Sequence, residues 1–143
     1  NLSGAAQFPV QLSEPDQLVY SAHEYATSVA QQPWFDDPAF PANMPALWDH
    51  FFGYLHKQNI APLLLGEFGS TLRDPRDQVW LTELMEYTGT GTGGINFTYW
   101  SWNPNSGDTG GILNDDWTTV NTTKQAILAP YLLAPVPAVP TGR

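Results

Sequence analysis

The sequence predicts an α/β chain that forms part of a (β/α)8 barrel and supplies three consecutive strands with their helices. Short apolar runs rich in β-formers alternate with helix-length amphipathic segments, the pattern of βα units whose right-handed crossovers make the strands parallel. Each strand-like run also ends on side chains capable of chemistry, at the end where such barrels carry their sites. Part of a doubly wound sheet would fit the same alternation. No strand is followed by a G-x-G-x-x-G or phosphate-loop pattern, so the nucleotide-binding versions of that sheet lose support.

Residues 1–17 read as loop, opening abruptly on Asn1-Leu2-Ser3-Gly4. Leu18–Tyr25 then reads as a strand, preceded by the turn-like Glu14-Pro15-Asp16. Alternation puts Val19, Ser21, His23 and Tyr25 on one face and Tyr20, Ala22 and Glu24 on the other. A long Pro- and aromatic-rich loop, about 26–41, contains Trp34 and looks too broken for a regular element; loops of this length are usually functional. Met44, Leu47, Trp48, Phe51, Phe52 and Leu55 recur at helical spacing and predict an amphipathic helix running to about Asn59.

Leu63-Leu64-Leu65-Gly66-Glu67-Phe68-Gly69 follows. A continuous apolar run is how a buried parallel strand reads, and a carboxylate stands where the run stops, between two glycines. Asp74-Pro75 supplies an N-cap and a first-turn proline for a helix with Trp80, Leu81, Leu84, Met85 and Thr88 inward, ended by Gly89 to Gly94. Ile95–Trp102 reads as the third strand, with Ile95, Phe97 and Tyr99 on one face and Asn96, Thr98 and Trp100 on the other, stopped by Asn103-Pro104. A Gly/Asp-rich loop through Trp117 leads to a closing helix around Thr122–Leu128. Pro135–Pro140 looks like the start of an interdomain linker.

Charge and composition narrow the classes of partner. The chain has 14 acidic against 5 basic residues, a net charge of -9, which argues against nucleic acid or an anionic membrane. Six tryptophans in a weakly charged chain suggest stacking surfaces for neutral ligands, sugars foremost, although tryptophan is equally good core material. There is no cysteine, hence neither disulfide nor thiolate metal site. No apolar run reaches membrane-spanning length. His23, His50 and His56 are scattered, and Asp108, Asp115 and Asp116 read as solvated or locally bonded loop acids in preference to a cation site. No metal or other cofactor is expected.

Glu67, His23, Tyr25 and Trp100 at one rim form a coherent set for glycoside chemistry. A carboxylate can attack or stabilise an oxocarbenium-like centre. A tyrosine hydroxyl can hold that carboxylate ionised, and an indole face can stack on a sugar ring. Read singly, His23 fits a satisfied rim histidine and Trp100 a core residue.

These residues resemble glycoside hydrolase family 5. The resemblance rests on His23-Glu24-Tyr25 after the first strand, Gly66-Glu67-Phe68-Gly69 after the second and Trp100-Ser101-Trp102-Asn103-Pro104 after the third. Tyr20–Val29, the Trp34-Phe35 loop and Ser106–Leu113 strengthen it. It is strongest toward secreted bacterial endo-β-1,4-glucanases and extends to about Pro130. It implies strands 6 to 8 of the barrel, a secreted enzyme, and cellulose or a related β-glucan as substrate. Glu67 would be the nucleophile of a retaining mechanism, His23 and Tyr25 the strand-6 pair beside it, and Trp100 the platform under the sugar. Trp34 would add a further subsite, with Asn103 beside the substrate. Another β-linked polysaccharide, mannan or xyloglucan, suits the same four residues, and a non-catalytic carbohydrate-binding module would need only the tryptophans.

The family's acid/base glutamate lies in an Asn-Glu-Pro motif that this sequence lacks. Retention requires two carboxyl groups about 5–5.5 Å apart. Glu24 alternates toward the helix-facing side, Glu14 lies in a loop, and Glu83 and Glu86 belong to a helix. A whole barrel needs roughly 200 residues or more. The expectation is therefore a C-terminal portion of a catalytic domain over 1–133, with a linker beginning at 134–143. Its partner would be the N-terminal half, as a second chain of a nicked or split protein, which would cover the otherwise unpaired sheet edges.

Overall fold

The computed structural model describes residues 1–14 and 16–134 and has a three-stranded parallel sheet at its centre. The strands are β1 (Tyr20–Tyr25), β2 (Leu63–Gly69) and β3 (Asn96–Phe97), in spatial order β1-β2-β3. Both pairings are parallel, so all three strands end at the same rim. The helices are α1 (Met44–Trp48), α2 (Tyr54–Lys57), α3 (Pro75–Thr88) and α4 (Thr122–Leu128). Pro15, in the expected turn before β1, and the Pro-rich stretch from Pro135 lie outside the described residues.

The predicted faces of β1 hold. Tyr20 and Ala22 are buried while Ser21 and His23 are exposed. Leu63, Leu65 and Phe68 of β2 join them in one core with Trp48, Phe52 and Leu55 from the first helical stretch and Trp80, Leu81, Leu84 and Met85 from α3. Each large aliphatic side chain fully removed from water there stabilises the fold by about 1.5–3 kcal/mol. The apolar spacing of α3 thus finds its partner in the back of the sheet. Its start is fixed as expected: the Asp74 carboxylate accepts from Arg76 N–H, and Pro75 opens the first turn.

Three expectations are corrected. The helix over 44–59 is not uniform: a π turn, Asp49–Gly53, separates α1 from α2, and the helix stops at Lys57. The loop after β1 is not wholly irregular, because Pro33–Asp36, including Trp34, forms a 3-10 turn begun by the proline. The third strand is far shorter than 95–102. Its ladder persists past Phe97 only as single bonds, from Thr98 N–H to the Leu65 carbonyl and from Trp100 N–H to the Phe68 carbonyl, both 2.9 Å. The alternation nonetheless continues, with Ile95 buried, Phe97 and Tyr99 half-buried, and Asn96, Thr98 and Trp100 exposed.

Glu24 points to the helix side, as alternation requires, and Trp48 Nε1 donates to its carboxylate at 3.2 Å. Burial pushes its pKa up to about 7, against the opposing effect of the Trp48 hydrogen bond. The folded state therefore keeps this proton up to about pH 7, whereas an unfolded glutamate releases it near 4.5. Stability is fully present below that lower value and falls as pH rises through the window. Thermal unfolding of the complete protein between pH 5 and 7 should show this decline, and Glu24→Gln should flatten it; an equally steep decline in the variant refutes the assignment.

Candidate active site

Glu67 reaches the rim through an irregularity in the sheet. β1 and β2 pair Ala22 with Leu65 and then His23 with Glu67, so Gly66 has no counterpart. Unbroken alternation would send Glu67 to the side of Leu63 and Leu65, toward the helices. One extra residue advances the phase, as bulges do beside functional sites, and Glu67 comes round to His23 and Tyr25. Glycine suits position 66 because a Cβ there would stand 2.2 Å from Ser21 Oγ and 3.3 Å from His23 Nε2.

The Tyr25 hydroxyl donates to Glu67 Oε2 at 2.7 Å, and His23 Nδ1 lies 3.3 Å from the same oxygen. Both contacts fall on Oε2, and Oε1 stands outside them. The Glu67 side chain is 33% exposed and that of His23 49%, so a ligand can approach both. The Tyr25 phenol is held far above its ordinary pKa, first by burial, then by the hydrogen bond and charge of Glu67 and by the charge of Asp108. It therefore stays a proton donor to the carboxylate throughout the neutral range.

Trp100 is anchored at the same rim. Its backbone N–H bonds the carbonyl of Phe68, the residue after Glu67, and its indole is 44% exposed, so it is not the core residue its aromatic type allows. Asn103 is exposed, and its backbone carbonyl accepts from Ser101 Oγ at 2.9 Å. Trp34 lies in a hollow of about 480 Å³ whose lining includes His23, Tyr25 and Gln32 but not Glu67. It packs against Phe51, ring centroids 5.5 Å apart. That hollow lies along β1, an outer strand of the sheet.

Asp116 accepts from the N–H groups of Thr119 and Thr118, which lower its pKa to about 2. Asp108 accepts from Ser106 Oγ at 2.8 Å. Both are locally bonded loop acids. Among the described residues no group of three or more His, Cys, Asp or Glu side chains is arranged to hold a metal ion.

Residues 1–106 match the family-wide sequence profile of cellulase, glycosyl hydrolase family 5. The chain belongs to glycosyl hydrolase family 5. It is 52% identical over 142 residues to an endoglucanase of Paenibacillus polymyxa, a match covering 97% of this chain and 35% of that protein. It is 44% identical over 131 residues to the major extracellular endoglucanase of Xanthomonas campestris pv. campestris, covering 90% of this chain and 26% of the other. It is also similar to a crystal structure of an endocellulase variant from Pyrococcus horikoshii in complex with cellotetraose. There the TM-score is 0.83 at 43% identity, over 91% of this chain and 35% of the other. The chain thus spans between about a quarter and a third of the length of these family 5 relatives and forms the C-terminal part of a (β/α)8 catalytic barrel.

Two buried polar residues of this family 5 chain escape a reading of its sequence. Asp77 is fully buried in the first turn of α3. Lys124 of α4 is 1% exposed, with Nζ donating to the carbonyls of Thr109 at 2.9 Å and Gly111 at 2.8 Å and standing 5.5 Å from the Tyr99 ring centroid. Burial lowers its pKa to about 8. Their spacing places both on inward faces, Asp77 three and four residues before Trp80 and Leu81 and Lys124 three and four before Ile127 and Leu128; what hides them is their charge, since such residues on helices ordinarily face water.

Proposed function

We propose that the complete enzyme hydrolyses β-1,4-glucosidic bonds of cellulose or a related β-glucan with retention at the anomeric carbon, and that Glu67 is its nucleophile. The observation that carries this reading is the Tyr25 hydroxyl at 2.7 Å from Glu67 Oε2, on a rim where three parallel strands end. One carboxylate oxygen is held by the phenol and the imidazole while the other stands free to attack.

In the first step Glu67 Oε1 forms a bond to the anomeric carbon as the glycosidic bond breaks. The leaving oxygen takes a proton from a carboxylic acid in the N-terminal part of the barrel, outside this chain. In the second step that group, now a carboxylate, removes a proton from water. The water oxygen displaces Glu67, and the β-configured product leaves. His23 helps fix the carboxylate plane, and Trp100 presents an indole face to the sugar. Trp34 and Asn103 contribute to substrate contacts further along.

The N-terminal half of the same barrel is the partner this arrangement needs. Phe8, Val10, Leu12 and Val19 are each at least half exposed, close in sequence to β1, and β1 and β3 are both outer strands. That is the apolar surface the rest of a barrel would cover. The extracellular endoglucanase among the relatives supports secretion for this protein as well.

The stereochemistry tests the mechanism. Proton NMR of the complete enzyme acting on a soluble cello-oligosaccharide should show the β-anomer of the new reducing end first, with the α-anomer growing in by mutarotation. First appearance of the α-anomer would mean an inverting enzyme and would refute Glu67 as nucleophile.

A further inference from the structure

We propose that Asp77 is a positioning residue of this site, clamping the ends of β1 and β2 so that Tyr25 meets Glu67; the inference rests on the function proposed above. Its carboxylate accepts the backbone N–H of Ser28 at 3.1 Å and the hydroxyls of Ser28 and Ser70. Ser28 lies three residues beyond Tyr25, and Ser70 three beyond Glu67. One buried side chain on α3 therefore holds equivalent points past the two members of the site.

The third strand is tied to the same knot. Ser70 N–H donates to the Tyr99 hydroxyl at 3.4 Å, and that hydroxyl donates to the Ser70 carbonyl at 3.2 Å. These bonds run from the Ser70 backbone, whereas Asp77 holds its hydroxyl, so they persist when the carboxylate is removed.

A clamp is needed here for a physical reason. The irregularity at Gly66 interrupts the ladder between β1 and β2 just before the site, and disrupted pairing fixes register weakly. Beyond it only the pairs from His23 to Tyr25 with Glu67 to Gly69 remain. A carboxylate shared by both following turns, buried and satisfied by three donors, supplies the missing constraint. Asp77 touches no reacting atom, so its loss should appear as misplacement of Tyr25 against Glu67.

The test is a double-mutant cycle in the complete enzyme, with kcat and KM measured on an aryl β-cellobioside for wild type, Asp77→Asn, Tyr25→Phe and the double variant. Misplacement of a catalytic pair costs on the order of ten- to a hundredfold in rate, so Asp77→Asn should lower kcat at least about tenfold while leaving KM within about twofold. In the Tyr25→Phe background the same change should cost less than about twofold, because the contact it positions is already gone. A general loss of folded enzyme would instead lower kcat by the same factor in both backgrounds. Equal factors, or an unchanged kcat, overturn the proposal. Should Asp77→Asn fail to fold, Ser70→Ala is read through the same cycle; if neither variant folds, Asp77 is a stability residue and the proposal falls. Glu67→Gln is assayed alongside: an inactive wild type or an active Glu67→Gln defeats the functional reading itself, whatever the cycle shows.

Discussion

Replacing Glu67 by Gln in the complete enzyme should lower kcat by about four orders of magnitude or more, the scale on which removal of a covalent nucleophile acts. Binding of cello-oligosaccharides should change by no more than a few-fold. The substitution is nearly isosteric, and an amide oxygen still accepts from the Tyr25 hydroxyl, so the rim keeps its shape. What disappears is the negative charge able to form a bond to the anomeric carbon. Glu67→Ala should be equally inactive toward cellulose. With an activated aryl β-cellobioside, added azide should restore turnover and yield the α-glycosyl azide, since the small anion attacks from the face the carboxylate has vacated. Calorimetric titration for binding, with product analysis for rescue, checks both halves. Retained turnover in Glu67→Gln would point to a different nucleophile, and a wild type that binds the oligosaccharide without turning it over would be a carbohydrate-binding module.

The second large effect is expected at Gly69. A Cβ at this position would lie 2.0 Å from the backbone carbonyl oxygen of Trp100 and 3.1 Å from its carbon. No rotamer change relieves a collision with backbone, so Gly69→Ala must force the end of β2 away from the segment that carries the indole. Overpacking of this kind costs about 1–3 kcal/mol. Here it also displaces Trp100 relative to Glu67, two residues upstream on the same strand. We expect Gly69→Ala to lower the melting temperature of the complete enzyme and to cut kcat/KM on cello-oligosaccharides at least about tenfold. Gly66→Ala is the matched comparison: its nearest neighbour is the Ser21 hydroxyl, which can rotate aside, so its thermal penalty should be the smaller. The reverse order of melting temperatures contradicts this account.

Much of the framework is legible in the chain because it depends on repeating apolar spacing. The inward set of α3, the closing helix at Thr122–Leu128 and the carboxylate after three leucines all follow from periodicity and end signals. The alternation around Ile95–Trp100 was equally readable, but the length of β3 was not. A ladder ends where the partner backbone turns away, and only Thr98 and Trp100 still reach β2. The orientation of Glu67 lies beyond simple alternation, since counting by twos from Leu63 points it at the helices. Only the unmatched Gly66 corrects that. Asp77 and Lys124 are hidden for a related reason: a charged residue on a helix reads as a solvated one, and burial with full hydrogen bonding is a tertiary fact.

The Lys124 ammonium gives the last stretch of the chain a purpose that its distance from the rim conceals. The family profile ends at residue 106, and every side chain proposed for the chemistry precedes that point. The turn that follows bonds back to the Ser101 and Trp102 carbonyls through the N–H groups of Ile112 and Leu113, and its own carbonyls at Thr109 and Gly111 are gathered by one amine from α4. Gly111 in turn lies so near the Asn103 backbone that a Cβ would come within 2.5 Å of it. The helix α4 is thus a buttress: cutting the protein after residue 106 would spare the machinery and remove one wall that keeps the following loop upright.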